Sequence, residues 1–357
     1  MSGSTRHAIF GSMSTLDSAS KVDKPTAAGG SRDVERFVRT PFPAGVLPIS
    51  PMAGPRFPNL FIAGVPKAAT TTWYQALDHH PDVFMSPRKE MRYLDRDLTF
   101  DNRVETEDAY LAHFADAEGQ ARIGEASPWY FYSDEAPRSI RDNAEDPRVL
   151  VFLRDPVERL YSLHGQMVNS GAETIGSFRE ALAAQPDRER GRRLPDLLEP
   201  REGLRYWDIA HYGPHVRRYL DTFDDEELMF VRFDDFTTDP EGVFREVCTF
   251  LGVDPNVRPA IPASNTHRVL RSHRVRDFLA DPPEPVREIA HRVPGDWPTQ
   301  ARDILWQLNL KPAERDPMPE DLCRTLTEHC RPDIEDVEDL LGWDLSDWRR
   351  RDPLEEA

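Results

Sequence analysis

Four short apolar runs, separated by segments of helical periodicity, constrain the fold of this chain more than any other feature. Each run has five or six residues, a length and composition typical of strands that are buried on both faces of a parallel sheet. Strands that alternate with helices predict an α/β domain in which a central parallel sheet lies between two layers of helices. The predicted strands are Leu60–Val65, Arg122–Ala126, Val149–Leu153 and Leu228–Phe233.

Helical patterns occupy most of the sequence between and after these strands. The pattern after the third strand is the clearest, with Asp155 expected as the N-cap and Pro156 in the first turn. Ligands of such sheets bind beyond the carboxyl ends of the strands, so the loops after Val65 and Leu153 are the expected site. The predicted helices are Thr71–His79, Thr106–Ala115, Glu135–Asn143, Pro156–Val168, Asp208–Phe223, Pro240–Leu251, Arg274–Leu279, Pro319–Cys330 and Ile334–Leu341.

The two ends of the chain differ from its middle in composition. Residues 1–55 are rich in Ser, Gly, Ala and Pro without sustained periodicity, which predicts a flexible leader. Residues 351–357 form a short acidic tail, and residues 56–350 are expected to form one domain. The formal net charge of −18 disfavours nucleic acid and other polyanions as partners.

Composition also bears on location. No apolar run reaches the roughly 18 residues of a membrane helix, and the first residues lack the pattern of a secretory signal. The three cysteines, Cys248, Cys323 and Cys330, are expected to be reduced thiols and not metal ligands. We therefore expect a cytoplasmic protein without a membrane partner.

The loop after the first predicted strand carries groups suited to binding a phosphate. Its small residues allow backbone amides to approach a ligand, and the following helix adds amide donors and partial positive charge. The lysine comes before the small residues, and no Mg²⁺-binding position follows it, so the pattern differs from a Walker A loop. An exposed lysine beside a capped turn would look similar, which leaves the function of this segment alone open. The residues concerned are Lys67, Ala68, Ala69, Thr70, Thr71 and Thr72.

A second anion-binding pattern follows the third predicted strand. Arg154 comes directly after the strand, where a guanidinium can bind a phosphate, and Ser162 lies two turns into the next helix. Pairing of Arg154 with Asp155 or Asp146, and a solvent-facing Ser162, are the structural alternatives.

Together these segments resemble the 5′-phosphosulfate loop (P-K-[SA]-G-T-T) and the 3′-phosphate motif of sulfotransferases that use 3′-phosphoadenosine 5′-phosphosulfate (PAPS). The resemblance implies a P-loop-like fold, PAPS as the sulfuryl donor, 3′-phosphoadenosine 5′-phosphate (PAP) as a product, and no metal. It assigns the 5′ group to residues 67–72 and the 3′-phosphate to Arg154 and Ser162. Ala69 stands where the family usually has Gly, which is tolerable if the backbone angle φ is negative there.

Three further segments extend the resemblance. Ser86–Leu94 resembles the P-x-K-E-x-x-[FY]-[FL] stretch of the heparan-type and related bacterial branch, which implies Glu90 as general base, with Lys89 on the acceptor side. A surface pair between Glu90 and Arg92 is the alternative. Glu125–Tyr130 resembles E-x-[ST]-P-x-Y, and Glu314–Met318 followed by Asp333–Trp348 resembles the family's closing segment. The first of these implies acceptor-side roles for Ser127, Trp129 and Tyr130, with a place in the core as the alternative for Trp129 and Tyr130. The closing segment implies a cofactor contact for Arg315.

The sequence thus indicates a sulfotransferase that moves the sulfuryl group of PAPS to a hydroxyl or amine of a small-molecule or carbohydrate acceptor. Lys67 is expected to stabilise the leaving phosphate, and Glu90 to accept the acceptor's proton. Two alternatives stay open at this stage. A P-loop-like kinase predicts a Gly-Lys-[ST] ending and an acidic Mg²⁺ ligand, and a catalytically inactive nucleotide-binding relative predicts the loss of the base.

Overall fold

A computed structural model describes residues 56–100, 102–195, 200–258, 268–280 and 316–349, with short pieces at 282–286, 288, 304–305 and 308–313. The expected flexible leader at 1–55, the cofactor contact at Arg315 and the acidic tail at 351–357 lie outside the described residues.

The central feature is a parallel sheet of five strands in the order β2-β3-β1-β4-β5. All four predicted strands are confirmed within a residue or two. The edge strand β2 has only three residues, too few to give a recognisable alternation in the sequence. The strands are β1 (Leu60–Gly64), β2 (Val83–Met85), β3 (Arg122–Ala126), β4 (Arg148–Leu153) and β5 (Leu228–Arg232), and Arg268–Leu270 pairs with Leu310–Pro312 in a separate antiparallel ladder.

Helices flank this sheet, and two of their predicted boundaries are wrong. The helix predicted over Asp208–Phe223 is two helices with extended backbone at His211, because Pro214 has no N–H to donate to the carbonyl four residues earlier and its ring clashes with it. The helices are α1 (Thr70–Asp78), α2 (Glu107–Ala112), α3 (Ala136–Asn143), α4 (Pro156–Ser170), α5 (Phe178–Ala183), α6 (Gln185–Glu189), α7 (Tyr206–Ala210), α8 (Gly213–Thr222), α9 (Phe233–Thr238), α10 (Pro240–Leu251), α11 (His273–Ala280), α12 (Glu320–Leu341) and α13 (Ser346–Arg349).

The second wrong boundary is the break predicted at Pro332. Helix α12 runs through this proline without interruption, although an interior proline costs about 3 kcal/mol. Cys330, Ile334 and Val337 are each at most 1% exposed, and burial of such side chains stabilises the continuous helix by a comparable amount. Among the described helices, none combines the length and the apolarity needed to cross a membrane.

Helix α4 begins as the sequence predicts. The Asp155 carboxylate accepts hydrogen bonds from the amides of Val157 and Glu158 at 2.8 and 3.2 Å, which caps the helix, and Pro156 occupies its first turn. The helix ends at Gly171, whose φ of 88° is left-handed. The loop between β4 and α4 is therefore short and rigid, and it holds Arg154 at the carboxyl end of the sheet.

The last part of the chain packs back onto the sheet. Asp333 in α12 accepts hydrogen bonds from the amides of Tyr212 and Gly213 at 2.6 and 2.9 Å, at the start of α8. Trp348 in α13 is 1% exposed, and its indole N–H donates to Asp234 at 3.0 Å. Helix α13 thereby covers the carboxyl end of β5.

Candidate active site

The loop between β1 and α1 is held in a tight turn by two residues with left-handed backbone angles. Lys67 has a φ of 73° and Ala69 a φ of 60°, so the condition under which the alanine is readily tolerated, a negative φ, is not met. A left-handed alanine costs roughly 1–2 kcal/mol. The conformation is present because Ala69 is the N-cap of α1, where the loop must turn directly into the helix. As in any helix, the first amides of α1 point beyond its N-terminus. Thr70 and Thr72 are buried, and Thr71 and Lys67 are half-buried.

Arg154 joins this loop to the end of β4. Its Nη1 atom donates to the carbonyl oxygen of Lys67 at 3.2 Å, and its guanidinium lies over the Phe233 ring at 4.7 Å. Its guanidinium lies 3.5 Å from the carboxylate of Glu158, and the Asp146 carboxylate pairs with two other arginines instead. The two predicted anion-binding segments are therefore in direct contact.

One further contact holds the backbone of Arg154. The hydroxyl of Tyr212 donates to the Arg154 carbonyl at 2.9 Å, which connects the loop to α8. Ser162 is 5% exposed on α4, so the solvent-facing alternative for this residue is wrong. The side chain of Arg154 is 21% exposed, so an anion can reach its guanidinium.

Glu90 lies at the carboxyl end of β3, where its amide donates to the Ala126 carbonyl at 2.9 Å. Its two carboxylate oxygens contact different cations, Lys89 Nζ at 3.1 Å and Arg92 Nη2 at 2.7 Å. Burial raises the pKa of Glu90, but the charges of Lys89 and Arg92 and their hydrogen bonds outweigh it and lower the pKa to about 2. Glu90 is therefore ionised throughout the neutral range.

The pair between Glu90 and Arg92 exists, but it is not the surface pair considered as an alternative. The side chains of Lys89 and Arg92 are 8% and 5% exposed, and that of Glu90 is 30% exposed. Arg92 also donates to Asn102 Oδ1 at 2.9 Å and lies 4.0 Å from the centre of the Phe100 ring. Two nearly buried cations thus hold the Glu90 carboxylate where it faces solvent. This arrangement is more typical of a reactive carboxylate than of an ordinary surface ion pair.

The segment expected on the acceptor side lies beneath Glu90. Ser127, Trp129 and Tyr130 are 1%, 4% and 0% exposed, and Trp129 packs against Phe100 with ring centres 6.5 Å apart. Rings buried to this extent cannot stack on an acceptor in this structure, so the core alternative describes Trp129 and Tyr130. Ser127 and Tyr130 instead donate to the buried carboxylate of Glu125.

Sequence reasoning missed two of the groups that shape this site. It treats Arg92 only as a surface partner, although the place of this arginine two residues after Glu90 is visible in the motif. It treats Glu125 only as one letter of a motif, although two of the hydroxyls that bind this carboxylate stand in the same motif and only that of Tyr110 comes from another segment. Within the described part of the chain, no group of three His, Cys, Asp or Glu side chains could hold a metal ion.

Sheet order explains how the three charged groups come together. The strands β3, β1 and β4 are neighbours, and Glu90, Lys67 and Arg154 lie at their carboxyl ends. Neighbouring strands are about 4.8 Å apart, so the outer two are about 10 Å apart. The site can bind a ligand with anionic groups at two points and present a carboxylate beside one of them.

Comparison with known proteins defines the class to which this fold and site belong. The family model of the sulfotransferase domain matches residues 57–278, more than half of the chain, and the chain is a member of that family. The crystal structure of a sulfotransferase from Alicyclobacillus acidocaldarius is similar, with 28% identity and a TM-score of 0.61, and the match covers 82% of this chain and 99% of that one.

Curated relatives act on heparan sulfate, as their names state. Mouse heparan sulfate glucosamine 3-O-sulfotransferase 6 is 30% identical over 198 residues, which are 56% of this chain and 53% of that protein. Human bifunctional heparan sulfate N-deacetylase/N-sulfotransferase 3 is 29% identical over 210 residues, which are 56% of this chain and 23% of that protein. This chain therefore spans about half, or less, of the length of these relatives.

Proposed function

We propose that this sulfotransferase moves the sulfuryl group of PAPS to a hydroxyl group of a carbohydrate acceptor, with PAP as the second product. The observation that carries the proposal is the contact between Arg154 Nη1 and the Lys67 carbonyl at 3.2 Å. It holds the two anion-binding elements side by side, as a donor with a 5′-phosphosulfate and a 3′-phosphate requires. The carbohydrate acceptor is inferred from the curated relatives, whose names specify glucosamine in heparan sulfate.

The residues at the carboxyl edge fit such a donor. The Lys67 loop and the N-terminus of α1 suit the phosphosulfate, because backbone amides and a lysine there favour an anion. Arg154, which is partly exposed, and the buried hydroxyl of Ser162 on α4 suit the 3′-phosphate. None of these contacts requires a metal ion, since the positive charge comes from the protein.

PAPS supplies a sulfuryl group whose sulfur bonds to the acceptor oxygen while its bond to the bridging phosphate oxygen breaks. The bridging oxygen gains negative charge in this step. We assign the stabilisation of that charge to Lys67, because a lysine within reach favours the developing anion. Glu90 accepts the proton that the acceptor hydroxyl loses. A carboxylate has about four lone-pair positions, so Lys89 and Arg92 leave room for that hydroxyl at the exposed side of Glu90.

Donor binding separates this proposal from a kinase. PAP should raise the melting temperature of the protein in the presence of EDTA, because Lys67, Arg154 and α1 supply the charge that a phosphate needs. Stabilisation by ATP with Mg²⁺, and none by PAP, would favour the kinase and reject the sulfotransferase donor.

Two isosteric variants test the base. Glu90→Gln should keep PAP binding and lose turnover by about 10²-fold or more, measured with labelled PAPS on glucosamine-containing oligosaccharides and on small alcohols. Glu105→Gln is the matched control, since Glu105 lies in the same region but pairs with Arg96 at the surface, and it should keep turnover. Equal activity of the two variants would remove Glu90 as base, and product on small alcohols alone would reject the carbohydrate acceptor.

A further inference from the structure

A buried carboxylate lies behind the segment that carries Glu90, and the proposed chemistry does not use it. Glu125 on β3 is 1% exposed. Its Oε1 atom accepts hydrogen bonds from the hydroxyls of Tyr110 at 2.5 Å and Tyr130 at 2.9 Å, and its Oε2 atom accepts one from Ser127 at 2.8 Å. Three hydroxyl protons therefore point at one carboxylate.

The direction of these hydrogen bonds follows from the chemistry of the groups. An ionised carboxylate only accepts, and a hydroxyl has one proton to give. Burial raises the pKa of Glu125 above its ordinary value, and the three hydroxyl donors reduce that rise because they stabilise the ionised form. Tyr110, Tyr130 and the buried Asp95 are the titratable groups that face it.

Two of the three hydroxyls use their remaining lone pairs to hold the backbone after Glu90. Ser127 Oγ accepts the amide of Arg92 at 3.3 Å. The hydroxyl oxygen of Tyr130 accepts the amides of Tyr93 at 3.2 Å and Leu94 at 3.3 Å. Three successive amides are thus bound by hydroxyl oxygens whose protons are directed to Glu125, an orientation that turns their lone pairs towards the segment.

The segment held in this way is strained. Glu90 and Arg92 both have left-handed backbone angles, with φ of 59° and 55°, and such non-glycine residues persist only when their surroundings hold them. This backbone sets the position of the Arg92 guanidinium, 2.7 Å from Glu90. Loss of the hydroxyl acceptors would free the segment to relax and would separate that pair.

We infer that Glu125 is a positioning residue for Glu90: it orients the Ser127 and Tyr130 hydroxyls, which fix the backbone that aligns Glu90 with Arg92. The inference rests on the proposed function for its effect on turnover. Its effect on the segment itself does not depend on any activity.

Two tyrosine variants provide a matched pair. Tyr130→Phe and Tyr110→Phe each remove one hydroxyl that donates to Glu125, but only the Tyr130 hydroxyl also accepts backbone amides. In amide hydrogen exchange measured without ligand, Tyr130→Phe should accelerate the peptide containing residues 92–94 by about tenfold, and Tyr110→Phe should not. Equal exchange of this peptide in the two variants would overturn the inference, whether or not the protein transfers sulfuryl groups.

Turnover gives the second readout. Tyr130→Phe, Ser127→Ala and Glu125→Gln should keep PAP affinity within about twofold while kcat falls by about tenfold or more. The acid limb of kcat should move to higher pH, because Glu90 loses Arg92, one of the two cations that lower its pKa. Ser127→Thr, which keeps a hydroxyl, should restore kcat, and a purely structural defect would lower PAP affinity as well. Unchanged kcat and an unchanged acid limb in Tyr130→Phe would refute the positioning role; absence of transfer by the unmodified protein would instead refute the proposed function.

Discussion

Replacement of Asp95 by asparagine should remove a pH dependence of stability that results from the burial of this carboxyl group. Asp95 is fully buried, and neither of its carboxyl oxygens has a hydrogen-bond partner among the described residues. Burial raises the pKa of this carboxyl from 3.8 to about 8, although Arg92 and Arg103 act in the opposite direction. The folded state therefore keeps a proton that the unfolded chain releases near its ordinary pKa.

The pH dependence of the free energy of unfolding follows from the difference between the folded and the unfolded pKa of Asp95. The contribution of Asp95 to stability is fully present below its unfolded pKa and is lost as pH rises towards the folded pKa of about 8. The loss amounts to about 1.4 kcal/mol per pH unit, or about 3.5 kcal/mol between about pH 5 and about pH 8. Asparagine cannot ionise, so Asp95→Asn should gain about this much on the unmodified protein over that interval, in addition to any constant offset.

Urea denaturation at several pH values, extrapolated linearly to water, measures the difference. Asp146→Asn is the control. Burial raises the pKa of Asp146, but the hydrogen bonds and charges of Arg148 and Arg122 together outweigh it and lower the pKa. The contribution of Asp146 is therefore lost only at more acidic pH, and the control difference should be constant over the interval. A stability curve of Asp95→Asn parallel to that of the unmodified protein would refute the reasoning about burial.

The other predictions concern the site and its scaffold. Ala69→Gly should raise the free energy of unfolding by about 0.5 kcal/mol because it relieves a left-handed alanine, whereas Ala68→Gly in the same loop should lower it, both measured in urea. Gly124→Ala should cost about 1–3 kcal/mol, since a Cβ atom there would lie 2.7 Å from the sulfur of Met85; an unchanged unfolding midpoint would contradict that. The kcat/KM of the enzyme should show no Glu90 limb between about pH 7 and about pH 5, because the pKa of Glu90 is lowered to about 2; a limb in that range that shifts in Glu90→Asp would argue against the paired state.

Features encoded locally were predictable from the sequence. The strands β1 and β4 are continuous apolar runs, and Asp155 followed by proline marks the start of α4 by its own capping chemistry. Because parallel strands bring their carboxyl ends to one edge, the approach of Lys67 and Arg154 also followed from pattern alone.

Features that depend on contacts between distant segments were not predictable. The φ of Ala69 is set by the packing of the loop against the sheet, and a single letter does not show that a turn is left-handed. Continuity of α12 through Pro332 depends on burial against α4 and α8. Trp129 and Tyr130 stand in a motif associated with the acceptor, yet Trp129 packs against Phe100 and Tyr130 binds the backbone of residues 93 and 94, which lie elsewhere in the sequence.

The position of Trp348 at the end of β5 has a consequence for synthesis. Ribosomes release a chain from its N-terminus, and folding can begin on the portion that has emerged. Strand β5 ends at Arg232, yet the residues that cover it, Asp347 and Trp348, are made more than a hundred residues later. The carboxyl end of β5, beside Arg154, is therefore uncovered until α13 has been made, and a truncated translation product would lack the segment that covers it.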